Sequence, residues 1–144
     1  MATIKSFTDL EQSKKLAEIL PIESADMWWS RCTIIDFDDG ALKVSYAVEP
    51  CNISQFRNTK EDIPCWSLVA LFNVMPQING GITPHGHKND KLSQFEPKIC
   101  KIWEHSIIPS YKVTYGNGLS TDIYDNPIDA AFEMILKLHE LGIL

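Results

Sequence analysis

Apolar residues recur at helical spacing near the start of the chain, between two helix boundary signals. Thr8 followed by Glu11 forms a capping box, in which each side chain satisfies a backbone donor at a helix start. Pro21 cannot continue a helix. The apolar stripe consists of Leu10, Leu16, Ala17, Ile19 and Leu20. The pattern predicts an N-terminal helix over residues 8–20.

A second helical pattern occupies residues 127–141 near the end of the chain. Asp125 or Asn126 can cap it, and Pro127 suits the first turn because its missing N–H costs nothing there. Gly142 fits a Schellman C-cap, with Ile143 placed to contact Leu138. The polar side of the helix is one narrow line of Asp129, Glu133, Lys137 and Glu140. Because nearly all the rest is apolar, we expect cover on two sides, either from the sheet and residues 65–75 or from a second subunit.

Stretches rich in β-formers alternate with turn signals through the remainder of the chain. Residues 32–37 and 41–48 flank Asp38-Asp39-Gly40 and predict a hairpin. Asn117-Gly118 predicts a second tight turn. The three further predicted strands are residues 99–108, 111–115 and 119–124.

Residues 64–75 are almost entirely apolar, and Leu, Ala and Met outnumber β-branched types, so a short buried helix is predicted there. Residues 49–63 and 76–96 contain turn formers without periodicity and predict loops. Hairpins dominate over parallel crossovers. We therefore expect an α+β fold: an antiparallel sheet of about five strands with an N-terminal helix, a short central helix and a buried C-terminal helix, in a single globular domain over residues 1–144.

Composition places the chain among ordinary globular proteins. It has 144 residues, 44% hydrophobic and 22% charged, with a formal net charge of −6. The acidic balance disfavours a general nucleic-acid coat. Residues 1–10 carry no apolar run of a secretory signal, so we expect a cytoplasmic location. The four cysteines are widely spaced, and we expect reduced thiols.

His85 and His87 are the most suggestive short motif, because two imidazoles at i and i+2 can converge on one cation. A metal site needs further ligands, and no cysteine pair has zinc-finger spacing. Two exposed histidines in a Gly/Pro loop are the commoner explanation. Cys51 follows Pro50 in a predicted loop, but no base that would activate it can be named. We therefore assign no metal, no cofactor and no catalytic residue, and keep these three residues as weak candidates.

Four lysines gather in one region: Lys88, Lys91, Lys98 and Lys101. Asp90 and Glu96 interrupt them and no arginine joins them, which is typical of a solvated face. A nucleic-acid-binding regulator using these lysines is retained as an alternative.

Trp28 and Trp29 are adjacent, so their side chains diverge in a strand or a helix. The two side chains therefore cannot both enter the same core. Tryptophan is also frequent at binding hot spots. An exposed ring here would be a weak candidate for partner binding, whereas burial within the fold is the usual fate of tryptophan.

Three segments resemble uncharacterised short proteins encoded by phages and prophages of gut bacteria. They are residues 23–29 (ESADMWW), residues 64–68 (PCWSL) running to Met75-Pro76, and residues 127–131 (PIDAA) running to Leu141. These are mostly core and capping positions. The resemblance therefore implies a shared fold and transfers no catalytic residue and no activity.

The leading hypothesis from the sequence is a noncatalytic phage or mobile-element accessory protein that binds another protein, with a homodimer as one arrangement. Its rival is a small metal-dependent or thiol enzyme centred on His85, His87 and Cys51. We expect no membrane partner.

Overall fold

The computed structural model describes residues 5–35, 38–46, 62–79, 94–103, 107–116 and 118–144. The helices are α1 (Leu10–Ala17), α2 (Leu68–Val74) and α3 (Pro127–Glu140), with a 3-10 turn at Ile22–Ser24. The strands are β1 (Met27–Trp29), β2 (Arg31–Ile35), β3 (Leu42–Tyr46), β4 (Ile63–Cys65), β5 (Ile78–Asn79), β6 (Gln94–Phe95), β7 (Lys98–Ile102) and β8 (Ser110–Thr114).

The predicted α+β class is confirmed, but the single sheet of about five strands is not what the described residues form. Their strands make four separate antiparallel pairs: β1 with β4, β2 with β3, β5 with β6, and β7 with β8. The predicted hairpin around Gly40, whose φ is 70°, is the β2–β3 pair. The predicted loop over residues 76–96 has paired ends, because Ile78 lies opposite Phe95.

The predicted Asn117-Gly118 turn lies partly outside the described residues, but the segment that follows it explains why the β7–β8 pair does not grow into a regular wider sheet. Tyr111 bridges Tyr124 and Thr114 bridges Ser120, so residues 120–124 lie opposite residues 111–114 with one residue in excess. Such an excess interrupts a ladder, as a β-bulge does. Here the Thr121 hydroxyl takes the place of a backbone acceptor, 3.0 Å from the Val113 N–H. The predicted strand over residues 119–124 is therefore a bridged return segment.

The capping box of α1 lies one residue further along the chain than predicted. Asp9 is the N-cap: its carboxylate accepts the Gln12 N–H at 2.8 Å, and the Gln12 side chain accepts the Asp9 N–H at 3.2 Å. Thr8 does not take this role, because its buried hydroxyl accepts the Trp66 N–H at 3.1 Å instead. Helix α1 also ends at Ala17, before the predicted limit at residue 20.

Residues 64–75 begin as a strand rather than a helix. Ile63, Pro64 and Cys65 pair antiparallel with β1, and this contact with a distant segment holds them extended. Ser67 then caps α2, its side chain accepting the Ala70 N–H at 3.3 Å. Asp26 fixes this cap from across the fold, because its carboxylate accepts both the N–H and the hydroxyl of Ser67.

Helix α3 lies at the centre of the core, as its apolar circumference predicted. It packs against β8 on one side and α2 on another, so both expected covers come from within the chain. Its fully buried residues are Ile128, Ala130, Ala131, Met134, Ile135 and Leu138. The predicted caps are confirmed: Asn126 accepts the Asp129 N–H, and Gly142, with φ of 71°, ends the helix in a Schellman motif through Ile143 N–H bonded to Leu138 O at 2.9 Å.

Candidate protein-binding surface

The sequence-predicted site residues fall into three groups. His85, His87, Cys51, Lys88 and Lys91 lie outside the described residues. Lys98 and Lys101 are exposed on β7. Trp28 and Trp29 are both buried, at 7% and 8% exposure.

Both rings of the tryptophan pair are buried, so neither offers the exposed ring that a partner-binding role would need. β1 presents the two rings to opposite sides, and both sides are covered. On one side, the Trp29 Nε1–H donates to Thr8 O at 3.3 Å and to Ser13 Oγ at 3.2 Å. Phe7 meets the same ring edge to face, with centroids 5.8 Å apart. Trp29 is therefore a structural residue, and its hydrogen bonds satisfy the indole where it is buried.

A buried polar cluster lies beneath Trp29 and contains the only thiol that the structure shows fully buried. Thr8 Oγ1 and Ser13 Oγ are 2.7 Å apart, and Cys65 Sγ lies 3.5 Å from Thr8 Oγ1. Burial raises the pKa of the Cys65 thiol, although hydrogen bonds to Thr8 and Ser13 act in the opposite direction. A neutral thiol with no exposed surface cannot attack a substrate. This cluster joins the start of α1 to β4 through buried hydrogen bonds.

The β7–β8 hairpin extends beyond the core that holds its base. At the base, Ile99 pairs with Val113, which is fully buried, and Ile99 itself packs against the core. Towards the turn, Lys101 pairs with Tyr111, and Lys101 is already exposed. Because residues i and i+2 share a face of a strand, Trp103 continues the line of Ile99 and Lys101 past the edge of the core.

Three large apolar side chains are exposed in the connection between β7 and β8. Trp103 is 60% exposed, Ile107 is 96% exposed and Ile108 is 57% exposed. We call these three residues the hairpin tip. Single exposed apolar residues are normal on a protein surface, and Val69 on α2 is an example. A cluster of three in one connection differs from these, because such connections usually consist of polar and turn-forming residues.

Positive charge accompanies the hairpin tip on a protein whose formal net charge is −6. Lys101 Nζ lies 4.8 Å from the centroid of the Trp103 ring, a distance at which a cation–π contact orients the ring. Lys98 is exposed on the same strand, and Lys112 on β8 is half-buried. Within the described residues of this hairpin there is no acidic side chain to balance these lysines.

The sequence contained a signal for the hairpin tip that the strand prediction over residues 99–108 overlooked. A half-buried strand alternates apolar and polar residues, yet Ile102-Trp103 and Ile107-Ile108 place apolar residues at adjacent positions on both sides of a polar segment. The structure ends β7 at Ile102 and begins β8 at Ser110. Doubled apolar positions beside Pro109 are therefore the mark of an apolar turn.

An open depression of about 450 Å³ lies between α1 and Phe132. It is lined by Glu11, Gln12, Lys14, Lys15, Glu18 and Phe132. Lys14 pairs with Glu11 at 3.3 Å, and Lys15 approaches the Phe132 ring at 6.0 Å. Its charged groups thus interact with their neighbours, as on an ordinary solvated helix face.

Among the residues with described positions, no cluster of three histidine, cysteine or acidic side chains is arranged to hold a metal ion. The described helices are all too short or too polar to span a membrane. No protein-family model, curated protein or solved structure matches the chain.

Proposed function

We propose that this protein binds another protein through the hairpin tip and catalyses no reaction, acting as an accessory protein of a phage or prophage. The observation that carries the binding proposal is the exposure of Trp103, Ile107 and Ile108 in one connection. The phage or prophage origin rests on the resemblance of residues 23–29, 64–76 and 127–141.

The energetics of the hairpin tip favour an interface. Exposure of apolar surface to water costs roughly 25 cal/mol per Å². Covering Trp103, Ile107 and Ile108 with a partner would therefore lower the free energy of the protein. Tryptophan is also among the residues that contribute most when an interface forms. The cation–π contact from Lys101 restrains the Trp103 ring before binding, which reduces the entropy lost on association.

The test compares two substitutions in the hairpin tip with one matched control. Trp103→Ser and Ile107→Ser remove exposed apolar surface from the tip, while Val69→Ser removes it from α2, where Val69 is 68% exposed. Each full-length variant is first shown to be folded by circular dichroism. Each is then used as bait in a nuclease-treated lysate of the bacterial host, and a retained protein is identified, purified and titrated against the same variants.

The expected result is a partner that binds the natural chain and Val69→Ser equally, and binds the two tip variants at least about tenfold more weakly, as for loss of a hot-spot residue. Equal binding by all four proteins, or no retained partner, would contradict the proposal. Retention that is seen in a parallel untreated lysate and disappears on nuclease treatment would instead support the nucleic-acid alternative using Lys88, Lys91, Lys98 and Lys101. Light scattering on the purified chain tests the homodimer, which Ile107→Ser should dissociate if the hairpin tip forms it.

The phage assignment has its own measurement. If the protein belongs to a prophage, its level in the host should rise on prophage induction. A level that stays constant through induction would remove the phage part and leave the binding part standing.

A further inference from the structure

β7 is an edge strand in the described part of the chain, and its position suggests what kind of partner the hairpin receives. β8 is the only described strand paired with β7, with Lys98 opposite Thr114 and Ile102 opposite Ser110. Residues 120–124 occupy the far side of β8, so that edge is already bridged. The outer edge of β7 therefore presents a row of backbone donors and acceptors to which an extended segment can add.

The charges beside this edge select against some partners and for others. Residues 98–114 contain three lysines and one glutamate, within a chain of net charge −6. Lysines on an edge strand oppose pairing with an identical edge, because like charges would face each other. A second copy paired antiparallel with β7 would bring Lys98 of one copy close to Lys101 of the other. The same lysines would attract a strand that carries acidic side chains.

The hairpin tip extends the same edge. Trp103 directly follows the last residue of β7, so a segment added along β7 reaches the exposed Trp103 ring at one end. An added strand that carries acidic residues beside Lys98 and Lys101 would place its next residues against this apolar surface. In strand addition, backbone hydrogen bonds usually supply affinity and side-chain contacts supply specificity. Here the charge pairs and the apolar contact with the hairpin tip would supply the specificity.

We propose that β7 receives an extended acidic segment of a partner protein by β-strand addition, with an apolar residue of that segment packing on the hairpin tip. This inference rests on the proposed protein-binding function and specifies its partner chemistry.

The experiment begins with the purified full-length protein and a library of random twelve-residue peptides displayed on a carrier. The expected result is enrichment of peptides that combine aspartate or glutamate with an apolar residue. The best peptide is then synthesised with a fluorescent label, and its affinity is measured by anisotropy at low and high salt.

Two sets of variants separate strand addition from simple charge attraction. Lys98→Glu reverses a charge at the edge without removing the Lys101–Trp103 contact, and Lys14→Glu is the matched reversal on α1. We expect about tenfold weaker binding for Lys98→Glu and little change for Lys14→Glu. Peptides N-methylated at alternate backbone positions complete the test, because one set of N–H groups faces β7 and the other faces away. Only one of the two methylated sets should lose binding.

The outcomes distinguish this inference from the broader function. Selection of basic or uncharged peptides, or equal tolerance of both N-methylated sets, would overturn strand addition to β7. Binding to phosphatidylserine vesicles with no peptide enriched would overturn it in favour of a lipid surface. If a captured partner still depends on Trp103 and Ile107 in either case, the proposed function stands and only its partner chemistry falls.

Discussion

Replacing Thr8 by valine tests whether the buried polar cluster, rather than an exposed surface, explains the tryptophan pair. The two side chains have nearly the same shape, so the change removes one hydroxyl without opening a cavity. Thr8 Oγ1 accepts the Trp66 N–H at 3.1 Å and is 2.7 Å from Ser13 Oγ. Both Thr8 and Trp66 are fully buried, so water cannot replace the lost oxygen.

The expected magnitude follows from what the substitution leaves unsatisfied. A buried donor without an acceptor costs about 1–3 kcal/mol, and in the variant the Trp66 N–H becomes such a donor. Ser13 loses its hydrogen bond to Thr8 but still accepts the Trp29 Nε1–H, so its hydroxyl stays partly satisfied. We therefore expect Thr8→Val to lower the free energy of unfolding by about 2 kcal/mol. For a chain of this size that corresponds to a fall in Tm of about 4–8 °C.

The assay is urea unfolding followed by tryptophan fluorescence and by circular dichroism, whose agreement tests two-state behaviour. Thr114→Val is the matched control. Thr114 also makes two hydrogen bonds, to Gly116 N–H at 3.1 Å and Leu119 O at 3.3 Å, but it is only half-buried and water can replace them. A loss below about 0.5 kcal/mol for Thr8→Val, or an equal loss for both variants, would refute the reasoning.

Three further predictions concern charge, ionisation and backbone geometry. Burial opposes ionisation of Asp129, but hydrogen bonds from Lys5, Asn126 and Gln12 lower its pKa below the ordinary value. The ionised Asp129 therefore stabilises the fold above the unfolded pKa near 3.9, and this stabilisation is lost as the pH falls through the folded pKa. Asp129→Asn should therefore cost about 1 kcal/mol at pH 7 and progressively less as the pH falls through the folded pKa of Asp129, which acid titration of urea stability checks. Burial raises the pKa of Tyr115 to about 12, so the natural chain should lose stability as the pH rises from about 10 to 12. Tyr115→Phe should lose less stability over the same range, which measurements of Tm against pH would show. Parallel curves for the two proteins would contradict this. A Cβ added at Gly142 would have no atom within 4 Å, but the φ of Gly142 is 71°, which strains an L-residue. Calorimetry of Gly142→Ala should therefore find a loss of about 1 kcal/mol in the free energy of unfolding, from backbone strain alone. An unchanged Tm would exclude that strain.

The parts of the fold that could be predicted from the sequence are those fixed by local chemistry. Pro127 and Gly142 mark the two ends of α3 because each acts on its own backbone. The apolar residues around most of α3 predicted that it would be covered on two sides, and β8 and α2 are these covers. The hairpin around Gly40 was predictable for the same reason. The start of α1 was missed by one residue, because Thr8 and Asp9 are both good caps and the choice depends on Ser13 and Trp66.

The remaining errors come from contacts between distant segments. Nothing local indicates that Ile63 pairs with Trp29, because the pairing joins positions 34 residues apart along the chain. Without that pairing, residues 64–75 resemble one uninterrupted helix, and the sequence leaves open whether Trp28 or Trp29 is exposed. The hairpin tip was recoverable in part, since its doubled apolar positions contradict strand alternation. The exposure of β7 required the structure, because only the depth of the core determines where the hairpin emerges from it.

The ion pair between Lys5 and Asp129, 2.8 Å long, joins groups separated by 124 residues. Bringing such remote segments together costs more chain entropy than forming a hairpin, so contacts of this kind form late in folding. Since α3 supplies the middle of the core, a ribosome-bound chain that has not yet released it leaves α1 and α2 without their main packing surface. We therefore hypothesise that the nascent protein stays open to proteolysis until α3 emerges from the ribosome. Protease protection measured on stalled chains of increasing length would show this as one abrupt step when α3 emerges, and gradual protection would rule it out.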